Sequence, residues 1–221
     1  METKLNIKSK AVLLLIFAVV ATISCHTPKE IAHQSGQLDT LNDYKGTSGY
    51  FVDKRDGKRY KWVRIGEQIW MAENLAYKAD SGCVAFKHKE RKANKYGYYY
   101  SWETAMQSCP KGWHLPSEEE FLKMQEIVGE FGLNAYDSLK INDDYGLNFI
   151  NAGCYDLELN KFRKTNIYRL VTISFWSSTH GLSYHKDLNV ISTFSINRFR
   201  KTVGRAIACE NTYYSVRCIK D

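Results

Sequence analysis

The apolar positions of this chain change period along its length, and each change predicts a different kind of element. An apolar run fills Ala11 to Ile23, and a polar stretch rich in Ser, Thr, Asp, Asn and Gly follows from His26 to about Gly49. Two short apolar-rich segments, Tyr60 to Ile65 and Gln68 to Met71, flank Gly66-Glu67, the Gly-X pair that a two-residue type II′ hairpin requires. In that register Val63 faces Trp70 and shares its side with Ile65, while Trp62, Ile69 and Met71 share the other side with Arg64. Both faces are apolar enough to be covered. A polar loop is expected around Ser81 to Lys95. Beyond it, Trp102, Ala105, Met106 and Cys109 keep helical spacing up to Pro110, and Ser117 with Glu120 forms a capping box opening a second helix. Phe121, Met124, Ile127 and Val128 are its expected buried stripe. Glu118, Glu119 and Glu120 are read as first-turn acids favoured by the helix dipole. The tryptophans on strands are expected in the core.

The N-terminal run predicts export. Lys4, Lys8 and Lys10 precede it and Ser24-Cys25 ends it, the layout of a secretory signal over residues 1–24. At thirteen residues it falls short of the roughly 20 that a bilayer span needs. Cys25 follows a small residue as in a bacterial lipobox, which makes it the expected lipidated residue; Thr22 departs from the aliphatic residue usual at that place, and ordinary signal cleavage is the alternative. Residues 25–49 then read as a polar tether spanning on the order of 25 to 30 Å as a flexible coil. Residues 50–221 are the size of one domain. The expected location is the outer membrane or cell surface, with the membrane as a partner through the lipid.

Charge and cysteine count narrow the function. The net charge of +7 is modest, and the densest basic stretches, Lys87 to Lys92 and Arg198 to Lys201, read as solvated loops, with a contact to an anionic glycan or lipopolysaccharide as the one functional version kept. Nucleic acid is not an expected partner outside the cytoplasm. Of six cysteines, Cys25 set aside, Cys83, Cys109, Cys154, Cys209 and Cys218 remain, an odd number, so one thiol is expected outside intrachain bridges. Their spacing is not that of a zinc ribbon. His180 and His185 do not converge locally, His114 is expected to bond to backbone, and Asn142-Asp143-Asp144 before Gly146 reads as a solvated turn. No metal, cofactor or catalytic residue is expected. The chain has no Gly-rich phosphate loop and no Gly-x-Ser-x-Gly elbow.

Six strings, GKRYKWVRIGEQIWMAENL, YGYYYSWETAM, CPKGWHLPSEEEF, DDYG, FWSST and SVRCIKD, occur in the order found in the Fibrobacter succinogenes major paralogous domain, which residues 55 to 221 closely resemble. That family in turn resembles the C-type lectin-like fold. The resemblance implies an α+β domain, with an antiparallel sheet, two short helices, a long loop region and termini that meet in the sheet. It also implies a Cys109–Cys218 disulfide; Cys154 with Cys209 is a weaker expected pairing. The Glu-Pro-Asn or Gln-Pro-Asp and Trp-Asn-Asp triplets of calcium-dependent lectins are missing, so no calcium site is carried over. The expected function is a non-catalytic binding or structural module with a glycan or a surface protein as ligand. Tyr136, Tyr155, Tyr168 and Tyr184, within residues 130–205, are candidates for its binding surface. Two other readings stay open. One is an oxidase like the formylglycine-generating enzymes, whose redox cysteine pair would have to be Cys209 and Cys218. The other is a subunit of a surface fibre or complex.

Overall fold

A computed structural model describes residues 47–129, 133–141, 143–150, 153–163, 172–180, 190–197, 199–208 and 211–221. The signal segment, Cys25, most of the expected tether, Asn142, Tyr168, Tyr184, His185, Arg198 and Cys209 lie outside the described residues, and with Cys209 go its expected pairings. In chain order the strands are β1 (Ser48–Val52), β2 (Arg59–Ile65), β3 (Gln68–Met71), β4 (Cys83–Ala85), β5 (Tyr98–Tyr100), β6 (Trp113–His114), β7 (Cys154–Asp156), β8 (Lys161–Arg163), β9 (Thr172–His180), β10 (Ile191–Asn197), β11 (Thr202–Ile207), β12 (Thr212–Ser215) and β13 (Ile219–Lys220). The helices are α1 (Ala93–Tyr96), α2 (Trp102–Ser108), α3 (Glu118–Gly129) and α4 (Leu133–Tyr136). The fold is mixed, mostly strand with short helices.

The first sheet has the order β1-β2-β3-β13-β6, so the C-terminal strand lies between the first hairpin and β6. The β2–β3 turn takes two residues, with Ile65 opposite Gln68, and Gly66 has φ +57. A side chain there would also meet Ile127 Cδ1 at 2.5 Å. Val63 pairs with Trp70, and Trp62 with Met71, the expected register. Each face carries its own core: Tyr60, Trp62 and Met71 pack with Leu75, Trp113 and Trp176, while Val63, Ile65 and Trp70 pack with Phe121, Phe175 and Phe194. β1 begins two residues inside the segment read as tether. Its Gly49 lies on the Trp62 ring, where a Cβ would approach Cζ2 to 2.7 Å.

Local sequence accounts for the helix starts. Ser101 Oγ accepts from Thr104 N to cap α2, and Cys109-Pro110 ends it. At α3, Glu120 N donates to Ser117 Oγ and Ser117 N donates to Glu120 Oε2, at 3.2 and 2.7 Å, which closes the capping box. The stripes were only partly legible. Met106 and Ile127 are exposed, and Gln125 takes the buried place beside Phe121, Met124 and Val128. Gln125 faces Gly204 of β11, where the missing side chain leaves room for an amide.

The second sheet runs β11-β10-β9-β12-β5-β4, with β7 on β12 and β8 on β7. Part of the expected loop over Ser81 to Lys95 is structured: β4, two 3₁₀ turns and α1 bring Phe86 against Tyr99 and Tyr155 in a third, smaller core. Two candidate surface tyrosines are therefore corrected, because Tyr155 belongs to that core and Tyr136 is buried in the second. The expected long loop region is also partly sheet, since β7 to β11 arise from it. Cys109, just after α2, is bonded to Cys218, just before β13, with Cα atoms 5.9 Å apart at a sequence separation of 109.

Candidate functional site

Three of the six strings, CPKGWHLPSEEEF, FWSST and SVRCIKD, meet as a structural hub. In the Trp113-His114 string, β6 pairs with β13, placing His114 opposite Ile219. Ser178 N donates to Pro116 O, and Glu118 N to Thr179 Oγ1, which joins the Phe175-Trp176-Ser177-Ser178 string to the start of α3. Ser215 then pairs in parallel with Phe175. Trp176 is buried and its Nε1 donates to Tyr100 O at 2.7 Å, so it serves the core. Trp62, Trp70 and Trp113 are buried likewise.

Arg217 is the hub's strongest organiser, and sequence reading missed it. It is fully buried. Its Nε donates to Asn74 Oδ1 at 2.7 Å, Nη1 to Met71 O and Leu147 O at 3.0 and 2.6 Å, and Nη2 to Asn148 O at 2.9 Å. Burial pulls its pKa down to about 9, against the attraction of Glu73 and Asp143, so it is charged at neutral pH. A rigid planar fork is the side chain that can satisfy oxygens from the hairpin and the 147–148 segment at once. Asn74 is spent in the same network, its amide donating to Tyr96 O and Ser215 Oγ. With four of its five N–H donors spent inside the fold and the side chain fully buried, Arg217 is not offered to a ligand.

The expected chemistry of the histidines and acids needs one correction. His114 bonds to carboxylates rather than backbone: Nδ1 lies 2.7 Å from Asp221 Oδ1 and Nε2 lies 2.9 Å from Glu120 Oε1. Burial disfavours the charged ring, but these two hydrogen bonds prevail and raise its pKa. Glu118 pairs with Arg205 and Glu119 with Lys123, so the acidic first turn is committed to structural partners. Asp143 Oδ1 accepts from Asn148 N at 2.8 Å in a tight turn, as the turn reading required. His180 stacks edge-on to Trp102. Cys83 is a half-buried thiol whose pKa is raised by burial. Among the described residues no group of three or more His, Cys, Asp or Glu side chains is arranged to hold a metal ion.

The open site lies elsewhere, on one face of β9, β10 and β11. Residues directly opposite in an antiparallel pair share a face, and the registers assemble two contrasting surfaces. Phe194 with Phe175, and Ile196 with Ile173 and Val203, form the face packed on α3, where Phe121 and Phe194 stack at 4.6 Å. On the other face Asn197 stands between Thr172 and Thr202, Ser195 beside Ser174, and Thr193 between Trp176 and Ala206. Ser174 Oγ and Ser195 Oγ are 2.8 Å apart, and Asn197 Nδ2 donates to Thr172 Oγ1 at 3.4 Å. Trp176 apart, these residues line a cleft of about 630 Å³, with Arg163, Arg200 and the apolar Leu122, Val203, Ile207 and Tyr214 also on its wall. Arg163 is ion-paired with Asp156, yet its buried Nε has no hydrogen-bond partner among the described residues. Among the described residues no carboxylate pairs with Arg200. Between Asn197 and Thr202 the turn raises Phe199, 87% exposed.

The signal for this face was present as apolar-polar alternation in Ile173-Ser174-Phe175 and Phe194-Ser195-Ile196. It gives the face of each residue but not the pairing that turns three strands into one wall. Searches of curated proteins and of solved structures return no match to the chain. A family model does match, over residues 63–220, a span that contains the hairpin from Val63 onward, the Arg217 hub, the Cys109–Cys218 bridge and the whole cleft. The chain therefore belongs to the Fibrobacter succinogenes major domain family.

Proposed function

We propose that this is a lipid-anchored envelope or cell-surface protein whose domain is a non-catalytic binding module on a C-type lectin-like scaffold. The observation that carries the reading is the cleft: a wall of small hydroxyl side chains, open on one side and fixed on the other by the packing of the same strands against α3. A rigid scaffold that presents an unfilled polar surface has the organisation of a recognition site. The lectin-like assignment draws support from the last strand lying beside the first hairpin and from the tie between the end of α2 and β13. Cys218 is committed to Cys109, which favours binding over an oxidase that would need a labile Cys209–Cys218 pair. The anchor rests on the Lys4-to-Cys25 segment alone.

Two measurements test the proposal. Fatty-acid labelling in a bacterial host should mark the full chain and not Cys25→Ala; equal labelling removes the anchor. A screen of the full chain against glycans and surface proteins should give a ligand whose binding is lost in Ser195→Trp, which fills the cleft. Ligand binding unaffected by that substitution, with thermal unfolding of the variant still cooperative, would reject the cleft as the site.

A further inference from the structure

We infer that the cleft takes an acidic oligosaccharide, its hydroxyls on the Ser and Thr wall and a carboxylate at Arg163 or Arg200 of the same lining; this deepens the binding-module reading and rests on it. The wall decides the first half. Thr172, Ser174, Thr193 and Ser195 are hydroxyls that both donate and accept, and they stand two residues apart on paired strands, which spreads short, reorientable hydrogen-bonding groups over a surface. Sugar rings present the same chemistry in the same spread. Leu122, Val203, Ile207 and Tyr214 also line the cleft, but hydroxyls and two guanidinium groups stand among them, which suits an amphipathic ring better than a wholly apolar molecule. A phosphate group would call for convergent backbone amides at a glycine-rich turn, whereas the amides of β9 and β10 are engaged in their ladders.

The guanidinium groups decide the second half. Arg163 faces one carboxylate, Asp156, but keeps its buried Nε unbonded, and Arg200 stands on the same wall with no carboxylate partner among the described residues. A guanidinium fork binds a carboxylate through two parallel hydrogen bonds. With one of the two cations already half-neutralised, the site suits an occasional acidic group on a mainly hydroxylated chain better than a densely charged polyanion. Phe199 stands in the turn between two cleft residues, and an exposed ring at that place offers a face to the C–H side of a sugar.

Titration calorimetry of the full chain tests this with three acidic oligosaccharides, oligogalacturonate, oligomannuronate and desulfated chondroitin fragments, each beside its methyl-esterified form. The ester keeps every hydroxyl and removes the charge. At least one acid should bind about tenfold more tightly than its ester, and Arg200→Gln, an exposed substitution harmless to folding, should bring the acid down to the ester's affinity. Ser195→Val should weaken both forms. Equal affinity for acid and ester, lost in Ser195→Val, overturns the acidic inference and leaves the binding module standing. Binding of no acid in the set also overturns it. Should Ser195→Trp leave every ligand of the chain bound as before, the binding-module reading of this cleft falls as well.

Discussion

The β2–β3 hairpin and the β9–β10–β11 sheet are built from similar alternating strands, yet one is covered on both faces and the other on one. In the hairpin, Trp62 and Met71 enter one core and Val63 and Trp70 another, so both of its faces are spent on packing. In β9–β11 the Phe175, Phe194 and Ile196 face is spent in the same way, while Ser174, Thr193 and Ser195 face the cleft. An antiparallel sheet tolerates one polar face without cost to its ladder. The difference separates the part of the molecule that holds the fold from the part free to vary with a ligand.

Single substitutions should reproduce this contrast. Trp62→Ala and Trp70→Ala sit on opposite faces of the hairpin, and each should cost about 3–5 kcal/mol in urea unfolding. Phe194→Ala should cost a similar amount, because it removes the ring stacked on Phe121. Its neighbour Ser195→Ala should cost below about 1 kcal/mol. A Ser195→Ala loss as large as that of Phe194→Ala would mean that the hydroxyl face is structural, and the distinction between the two sheets would collapse.

Arg217 joins the regions, since its acceptors come from the end of β3, from Asn74 and from the 147–148 segment next to Phe149, whose ring packs 4.9 Å from that of Phe175. Arg217→Met keeps bulk but strands several buried oxygens, each worth about 1–3 kcal/mol when left unpaired. A total loss of about 3–5 kcal/mol is expected, with two-state unfolding becoming broader as the halves uncouple. Arg217→Lys should recover only part, because an ammonium cannot span the same fork of acceptors. Next comes the Cys109–Cys218 bridge: Cys109→Ser with Cys218→Ser should cost about 2–5 kcal/mol, the range for removing a native disulfide, with about 4.7 kcal/mol the chain-entropy value for a loop of about 100 residues. Unchanged stability would show that β13 is held by its ladder and the Arg217 network alone.

How much of this could be read from sequence depends on how far apart the cooperating atoms lie. The hairpin and the capping box were legible because their partners are two or three residues away, and chemistry at Gly66 and Ser117 specifies them. The Arg217 network was not, because its acceptors lie about 70 and 146 residues away and are mostly backbone carbonyls, which every residue possesses. The burial of Tyr136 and Tyr155 depends on β7, β12 and α4 arriving together, and a lone tyrosine in a polar stretch carries no sign of that. Gln125 and Ile127 show the finer limit. Helical spacing placed Ile127 in the buried stripe and left Gln125 out of it, and the reverse was decided by Gly204 across from Gln125 and by the Gly66 turn beside Ile127.

The smallest expected effect concerns the clasp that closes the first sheet's far edge. His114 lies on β6, between Glu120 at the head of α3 and Asp221 at the chain end, and its pKa is raised in the folded protein. A raised folded pKa means that the folded state holds the proton more tightly. The stabilisation is therefore complete below the unfolded histidine value of about 6.5 and is lost as pH rises through the higher folded value. Because the ring is 43% exposed, the gain should stay within about 1 kcal/mol. His114→Gln removes the titration and keeps a hydrogen-bonding side chain. The unfolding midpoint of the native chain should exceed that of the variant by most near pH 5.5, and the gap should narrow by about pH 8.5. A gap independent of pH would leave His114 as a packing group like those of the hairpin, while a gap that widens with pH would mean that the ring folds neutral and that the carboxylates bond it without a charge.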